Sequence, residues 1–341
     1  MKKLRLALVV SFVVCSFFAH AEQVAPKIDL TGTYDVGTFT PLERPERFGE
    51  SLHLTPEQAN EISARYETLL RADQVAERKE LQSTTYVSQG YNLFWVDFGE
   101  GPNVIDGKFR TSILIEPSDG RKPAMTKYGA ERLQGFLDAW RLVWRNPDPT
   151  VGLDGSRAWW VDDGDPSGPY DHIEQRSLAE RCIVGSRSTA GPPMLPNIYN
   201  NFKRIVQTDD AVMILTEMIH DARVVRMDQP HRPRAIRTWL GDSVGRWEGA
   251  TLVVDTTNFT ETPALSGADE NLHVIERFTK QEDGSMLYQF EIDDPTIWTV
   301  PWKGEYVWRA AQGKVYEFAC HEGNYAIGNV LRGARLLEAN W

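Results

Sequence analysis

The second half of the chain is a series of short apolar or alternating runs cut by turn residues. RIVQT, AVMILTEMI, ARVVRMD, AIRTWLG, TLVVDTTNF, LHVIERFTK, SMLYQFEID, EYVWRAA and KVYEFACHE succeed one another between Arg204 and Glu322. Runs this short and this closely spaced read as strands joined by hairpins, which pair antiparallel. Asp283-Gly284 in QEDGS supplies the preferred two-residue turn chemistry, and WEGATL turns around Gly249. About eight such strands either close into a barrel or stack as a sandwich, and closure removes the exposed edges. The reading is therefore mainly β, a lipocalin-like antiparallel β-barrel with N-terminal helices and additional strands. The aromatic residues of these strands are expected to wall a roomy cavity.

The first half has a different texture. Lys2, Lys3 and Arg5 precede the apolar run LALVVSFVVCSFF and the small-x-small pattern Ala19-His20-Ala21, the three parts of an export signal. Residues 1–21 are thus read as a cleaved signal peptide, and the run is too short to span a bilayer comfortably. Thr55 and Pro56 open a helix expected to reach about residue 79, as N-cap and first helical position. YNLFWVDFG and FRTSILIEP read as strands, and RLQGFLDAWRLVW has helical spacing. Residues 145–171 are dense in Asp, Gly and Pro. That division gives an N-terminal α/β-containing region, 22–171, packed on a barrel domain, 172–341.

Charge and cysteine use narrow the function classes. The chain carries a formal charge of -11, and losing three cations with the signal makes it more acidic still. A nucleic-acid binder presents a basic footprint, and the arginines here are scattered among acids. No second stretch is long and apolar enough for a stable membrane span. With Cys15 lost with the signal, Cys182 and Cys320 remain. In an exported chain they form a disulfide, or else two separate buried thiols. Periplasmic or secreted localisation follows, and patterning leaves the oligomeric state open.

Two segments concentrate candidate chemistry. If KVYEFACHE is a strand, Cys320 and His321 point to opposite faces, which weakens a Cys–His nucleophile pair. Cys320 is then a staple, and His321 and Glu322 sit at the strand end as a ligand or catalytic group, or as a structural hydrogen bond. AVMILTEMIHDAR brings Glu217, His220, Asp221 and Arg223 together. His220 reads as a turn histidine fixed by Asp221, or as an acid or base at the barrel mouth, a role suited to a group with a near-neutral pKa. Trp298 and Tyr306, in DDPTIWTVPWKGEYVW, are pocket-wall candidates. Arg277, beside Glu276, is either an anion-binding group or half of a cross-strand ion pair.

Other motifs carry less. HEGNY lacks the second histidine of HExxH, and no metal centre is expected. Asp162, Asp163, Asp165 and Asp171 offer oxygen ligands for calcium, but their spacing departs from the EF-hand loop and a solvated loop is the plainer account. GDSVGRWEG lacks a phosphate-loop lysine and a serine-elbow spacing. It reads as a hairpin in which Gly245 and Gly249 permit turns, Arg246 forms ion pairs and Trp247 packs.

NIYNNFKRIVQT, EMIHDARVVRMD, WLGDSVGRWEGATLVVDTTNF, NLHVIERFT and CHEGNYAIGNVLRGAR, with FRTSILIEPSDGRKP upstream, together resemble segments of a widespread family of bacterial secreted proteins, largely uncharacterised. The resemblance spans most of the mature chain and implies export, with no chemistry to carry over. Relatives often show GDTLVV where this chain has Gly249-Ala250-Thr251-Leu252. The functional expectation is a periplasmic small-molecule binding protein for an amphipathic or aromatic ligand. The alternatives are a cofactor-independent hydrolase, isomerase or cyclase using histidine–carboxylate chemistry, and an envelope structural or interaction protein. An inward histidine–carboxylate set at one cavity favours the enzyme, a cavity with charge at its rim favours binding, and a filled lumen favours the structural role.

Overall fold

A computed structural model describes residues 28–71, 97, 99–134, 170–265 and 267–338. The signal, most of YNLFWVDFG, most of the 132–144 helical pattern and the acidic loop up to residue 169 lie outside the described residues, as does any part of the first helix beyond residue 71.

In chain order the elements are β1 (Gly32–Asp35), α1 (Pro56–Arg71), β2 (Val104–Ile105), β3 (Lys108–Phe109), β4 (Leu114–Glu116) and α2 (127–134). Then come β5 (Phe202–Gln207), β6 (Ala211–Thr216), β7 (Ala222–Met227), β8 (Asp242–Glu248), β9 (Thr251–Thr257), β10 (His273–Lys280), β11 (Met286–Asp293), β12 (Trp302–Ala311) and α3 (Tyr325–Glu338). Strands β5 to β12 pair in sequence order, and β1 closes the ring between β12 and β5. The protein is mainly β, a closed nine-strand barrel with helices and extra strands. Strand β4 adds to the start of β12, at Lys303 and Gly304, while β1 pairs with its end, from Arg309 to Ala311. A segment far upstream of residue 172 is therefore a stave of the barrel.

Alternation in sequence becomes alternation in space. Met286, Tyr288, Phe290 and Ile292 of β11 are buried while the residues between them are partly exposed, as period-two geometry requires. Trp302, Tyr306 and Trp308 of β12 point the same way and are fully buried. Their rings meet one another: Tyr288 lies 4.6 Å from Trp308 and 5.5 Å from Tyr306, and Phe278 lies 5.6 Å from Trp308. These tilted and edge-on pairs are the favoured aromatic geometries. Among the described residues these aromatics pack against one another across the lumen and fill it there, where the sequence led us to expect the wall of a roomy cavity.

The local signals read from the sequence act as stated at several points. Thr55 Oγ1 accepts from Gln58 N at 3.3 Å, and Gln58 Oε1 accepts from Thr55 N at 2.9 Å, a reciprocal cap on α1. Gly284 (φ 84°) turns β10 into β11, and Gly249 (φ 61°) turns β8 into β9. Cys182 and Cys320 are bonded, with Cα atoms 5.7 Å apart.

Three local readings change. AIRTWLG is an irregular crossing segment, because its apolar side chains Ile236 and Trp239 stay exposed and find no core. KVYEFACHE is also irregular: β12 and β1 have already closed the ring, so no ladder edge remains for another strand. Conversely, the supposed hairpin GDSVGRWEG contains strand β8. Gly245 is not a turn residue there, since a Cβ would lie 2.7 Å from Val225 Cγ1 and 2.8 Å from Met227 Sδ. Its role is to let β8 pass close to β7.

Candidate functional site

Strands β7 and β8 pair in parallel, with Val225 opposite Ser243 and Met227 opposite Gly245. Every other ladder of the barrel is antiparallel. Both strands consequently start at the same mouth, and Ala222 to Val224 precede the first β8 partner. A cavity of about 520 Å³ opens at this unpaired start, walled by Asp221, Arg223, Arg226, Arg232, Trp239 and Ser243 among others.

Arg223 links the cavity to the lumen. Its guanidinium grips the Glu276 carboxylate with two nitrogens, Nη2 to Oε1 at 2.8 Å and Nη1 to Oε2. Both side chains are buried, so this is a desolvated pair whose stability depends on its further hydrogen bonds. Tyr288 OH donates to Glu276 Oε1 at 2.8 Å, Arg223 Nη1 donates to Ser243 Oγ at 3.3 Å, and Ser243 bonds Thr256 at 2.9 Å. Arg223 Nε is buried with no partner among the described residues.

Beside this pair lies Lys203, fully buried, its Nζ donating to Thr189 O at 2.7 Å. Burial drives its pKa down to about 7, against the pull of Asp221 and Glu217. Burial likewise raises Asp221 to about 6, although its carboxylate accepts from Gly185 N at 2.9 Å and faces Lys203. Glu217 is also raised, chiefly by burial. Low dielectric disfavours the charged form of each group, and the opposite charges only partly offset it.

From Asp242, which lines the cavity, a histidine–carboxylate chain runs outward. Asp242 takes both oxygens to Arg226 Nη2 at 3.0 Å and accepts from Arg232 N at 2.8 Å. His231 bridges Asp242 Oδ2 at 3.1 Å and Asp255 Oδ1 at 3.2 Å. The same Asp255 oxygen meets His273 Nε2 at 3.0 Å, and this bond holds the His273 pKa above its ordinary value. Burial pushes Asp242 and Asp255 up, but their hydrogen bonds outweigh it and both stay below the usual carboxylate range.

The sequence-derived candidates divide between this mouth and other places. EMIHD is the β6–β7 turn, with Ile219 at φ 57° and His220 at φ 48°. A β-branched residue rarely adopts that region. The turn carries Asp221 and Glu217 inward to buried positions and leaves His220 exposed, its Nδ1 3.1 Å from Phe318 O. The His321 ring lies 6.4 Å from that of His220, and both His321 and Glu322 are exposed. The two histidines thus gather outside the turn while the carboxylates Glu217 and Asp221 face backbone amides within. Tyr306 is core: its hydroxyl donates to Met194 O at 2.9 Å. Trp298 packs edge-on against Trp302 at 5.4 Å, and Arg277 on the barrel exterior pairs with Glu248 at 2.9 Å. Asp171 pairs with Arg335 of α3. Among the described residues, no three His, Cys, Asp or Glu side chains are grouped to hold a metal ion.

Sequence reasoning passed over His231, His273, Asp242, Asp255, Lys203 and Trp239. DQPHRPR reads as a loop, and only the parallel crossing folds its histidine back onto β8 and β9. A lysine at an inward strand position, two before Ile205, was the available signal for a buried amine. No family model and no curated protein matches this sequence.

Proposed function

We propose that the protein is an exported small-molecule binding protein whose site is the mouth between β7 and β8, where it takes an amphipathic molecule carrying an acidic group. The observation that carries this reading is the cavity at the β7–β8 mouth. The lumen is filled by aromatic rings, whereas the mouth cavity joins an exposed indole, Trp239, to the arginines 223, 226 and 232. The wall is polar and apolar in about equal parts, which suits an amphipathic molecule. Arg232 is half-exposed and only 3.8 Å from Asp242, so its charge is available at the rim. The Cys182–Cys320 bond is compatible with an oxidising compartment, and no helix among the described residues is long and apolar enough to cross a membrane. The test is native mass spectrometry of the mature chain released gently from its own cell envelope. A small-acid adduct that Arg232→Glu and Trp239→Ala both lose is the expected result. A bare wild-type mass, or an adduct that both variants retain, overturns the reading.

A second reading rests on His231. A histidine held between two carboxylates beside a cavity is equipped for general acid–base work, which supports a cofactor-independent enzyme with a different histidine from those singled out in the sequence. Conversion of the bound molecule by wild type but not by His231→Gln is its signature, and equal persistence of the molecule in both would dismiss it. The filled lumen alone also suits an envelope structural or interaction role, but that role leaves the mouth cavity without a purpose.

A further inference from the structure

On the far side of the barrel, four strands from the β7–β8 seam in either direction, the N-terminal layer encloses a second cavity of about 390 Å³. It lies between α1, the 39–48 loop and the segment around Arg110. The cradle is fixed by backbone pairing: Leu54 N donates to Phe109 O at 3.0 Å, Thr111 N to Leu52 O at 3.0 Å and Arg110 N to Asn103 O at 2.9 Å. One wall is aromatic. The Phe39 and Tyr66 rings stack in parallel with centroids 4.2 Å apart, and the Arg47 guanidinium lies 4.7 Å over Phe48.

At the inner end sits Arg110, 8% exposed. Its Nη2 donates to Glu305 Oε1 at 2.6 Å, and its Nη1 meets His53 Nε2. That contact requires an unprotonated His53 nitrogen as acceptor, and burial followed by the Arg110 charge lowers the His53 pKa accordingly. Arg110 Nε is buried and has no partner among the described residues. The wall holds three arginines, Arg47, Arg65 and Arg110, against the single carboxylate of Glu61. An orphaned guanidinium donor costs free energy until an acceptor reaches it.

We propose that this cavity is a second binding site, for a small planar aromatic carboxylate, with the ring against the Phe39–Tyr66 wall and the carboxylate toward the Arg110 end. Its size falls in the range of small-ligand pockets. One free N–H at the buried end suits a carboxylate better than a phosphate, whose three oxygens would lack donors there. This site is independent of the mouth reading and stands if that reading fails.

The test is isothermal titration of the mature full-length chain with naphthoate, with naphthalenemethanol as the uncharged isostere. A saturable site that depends on this cavity is expected, weakened about tenfold or more for the alcohol, which cannot answer the guanidinium. Ile62→Trp, on α1, fills the cavity and should abolish binding with the circular dichroism of the barrel unchanged. Arg110→Gln should bind naphthoate no better than the alcohol, and Ile62→Trp supplies the answer should Arg110→Gln not fold. No saturable binding to wild type, or a wild-type isotherm in Ile62→Trp, would each overturn the proposal.

Discussion

The deep lumen and the β7–β8 mouth are built from the same strands but by opposite rules. In the lumen, Trp302, Tyr306, Trp308, Tyr288 and Phe278 are fully buried, and their rings fill the space. At the mouth, Asp221 and Arg223 are buried as well, yet they line a place where space remains, with Lys203 and Glu217 buried beside them. Buried charge is costly even when paired, whereas buried aromatics stabilise by area alone. The difference separates the part of the barrel that holds the fold from the part that tolerates a cost, and costs of this kind cluster at functional sites.

The largest expected effect breaks the lumen. Trp308→Ala removes a fully buried indole that contacts Tyr34, Phe278, Tyr288 and Tyr306. Such truncations cost about 3–5 kcal/mol, and the upper end is expected here because rings on every side prevent collapse into the hole. Urea denaturation of the mature chain measures it. A loss below about 1 kcal/mol would mean that the lumen is less tightly packed than its ring contacts require.

Next in size is the link between the two regions. Glu276→Gln leaves Arg223 charged and buried without its carboxylate, a change worth about 3 kcal/mol or more. The double replacement Arg223→Met, Glu276→Leu should recover most of that loss, because a well-packed apolar pair removes the desolvation cost altogether. If the double variant is as unstable as the single one, the ion pair is a structural necessity, and the contrast between lumen and mouth loses its sense.

How much of this was legible depends on whether the signal was local. Strands β5, β6, β7, β9, β10, β11 and β12 were visible as alternating runs, since one inward face demands every second residue apolar. Strand β8 was not: its inward residues Ser243 and Gly245 are small or polar, so the period-two apolar signal is missing. The parallel seam follows from the same gap, because a crossing of 14 residues between Met227 and Asp242 reads as a chain of turns until β8 is seen. Nor was α3 read, since its exposed residues Tyr325, Val330 and Leu336 blur its amphipathic face. For the candidate site, EMIHDAR drew attention to a turn that borders the mouth cavity. The left-handed residues Ile219 and His220 then sent its histidine outward, which no pattern in the sequence announced.

A milder perturbation sharpens the comparison through pH. Burial lowers the Lys203 pKa in the fold to about 7 from its ordinary value of 10.5. Between these values the unfolded chain holds a proton that the folded chain does not, so stability rises with pH across that window and is flat below it. Asp221, raised from 3.8 to about 6, gives the opposite slope, with stability falling as pH rises from about 4 to about 6. Thermal melts of wild type and Lys203→Met between pH 7 and pH 10 separate the two groups. The wild-type midpoint should climb more steeply than that of the variant. Identical slopes would place the lysine in solvent contact and remove the mouth's claim to buried charge.

The smallest effect on stability is expected from Trp239→Ala, and it tests the mouth most directly. Trp239 lies on the crossing segment, 39% exposed, and its removal opens no hole in the filled lumen. Substitutions at such surface positions usually change stability by about 0.5 kcal/mol or less, so the urea midpoint should hardly move. Retention of the small-acid adduct carried from the envelope should nevertheless fall sharply, because the indole is the one large aromatic surface on the cavity wall. Trp308→Ala should reverse this pattern, with a large stability loss and, under conditions where the fold persists, an adduct still held. If Trp239→Ala instead destabilises the chain as Trp308→Ala does, the crossing segment is core rather than cavity wall, and the two regions are one.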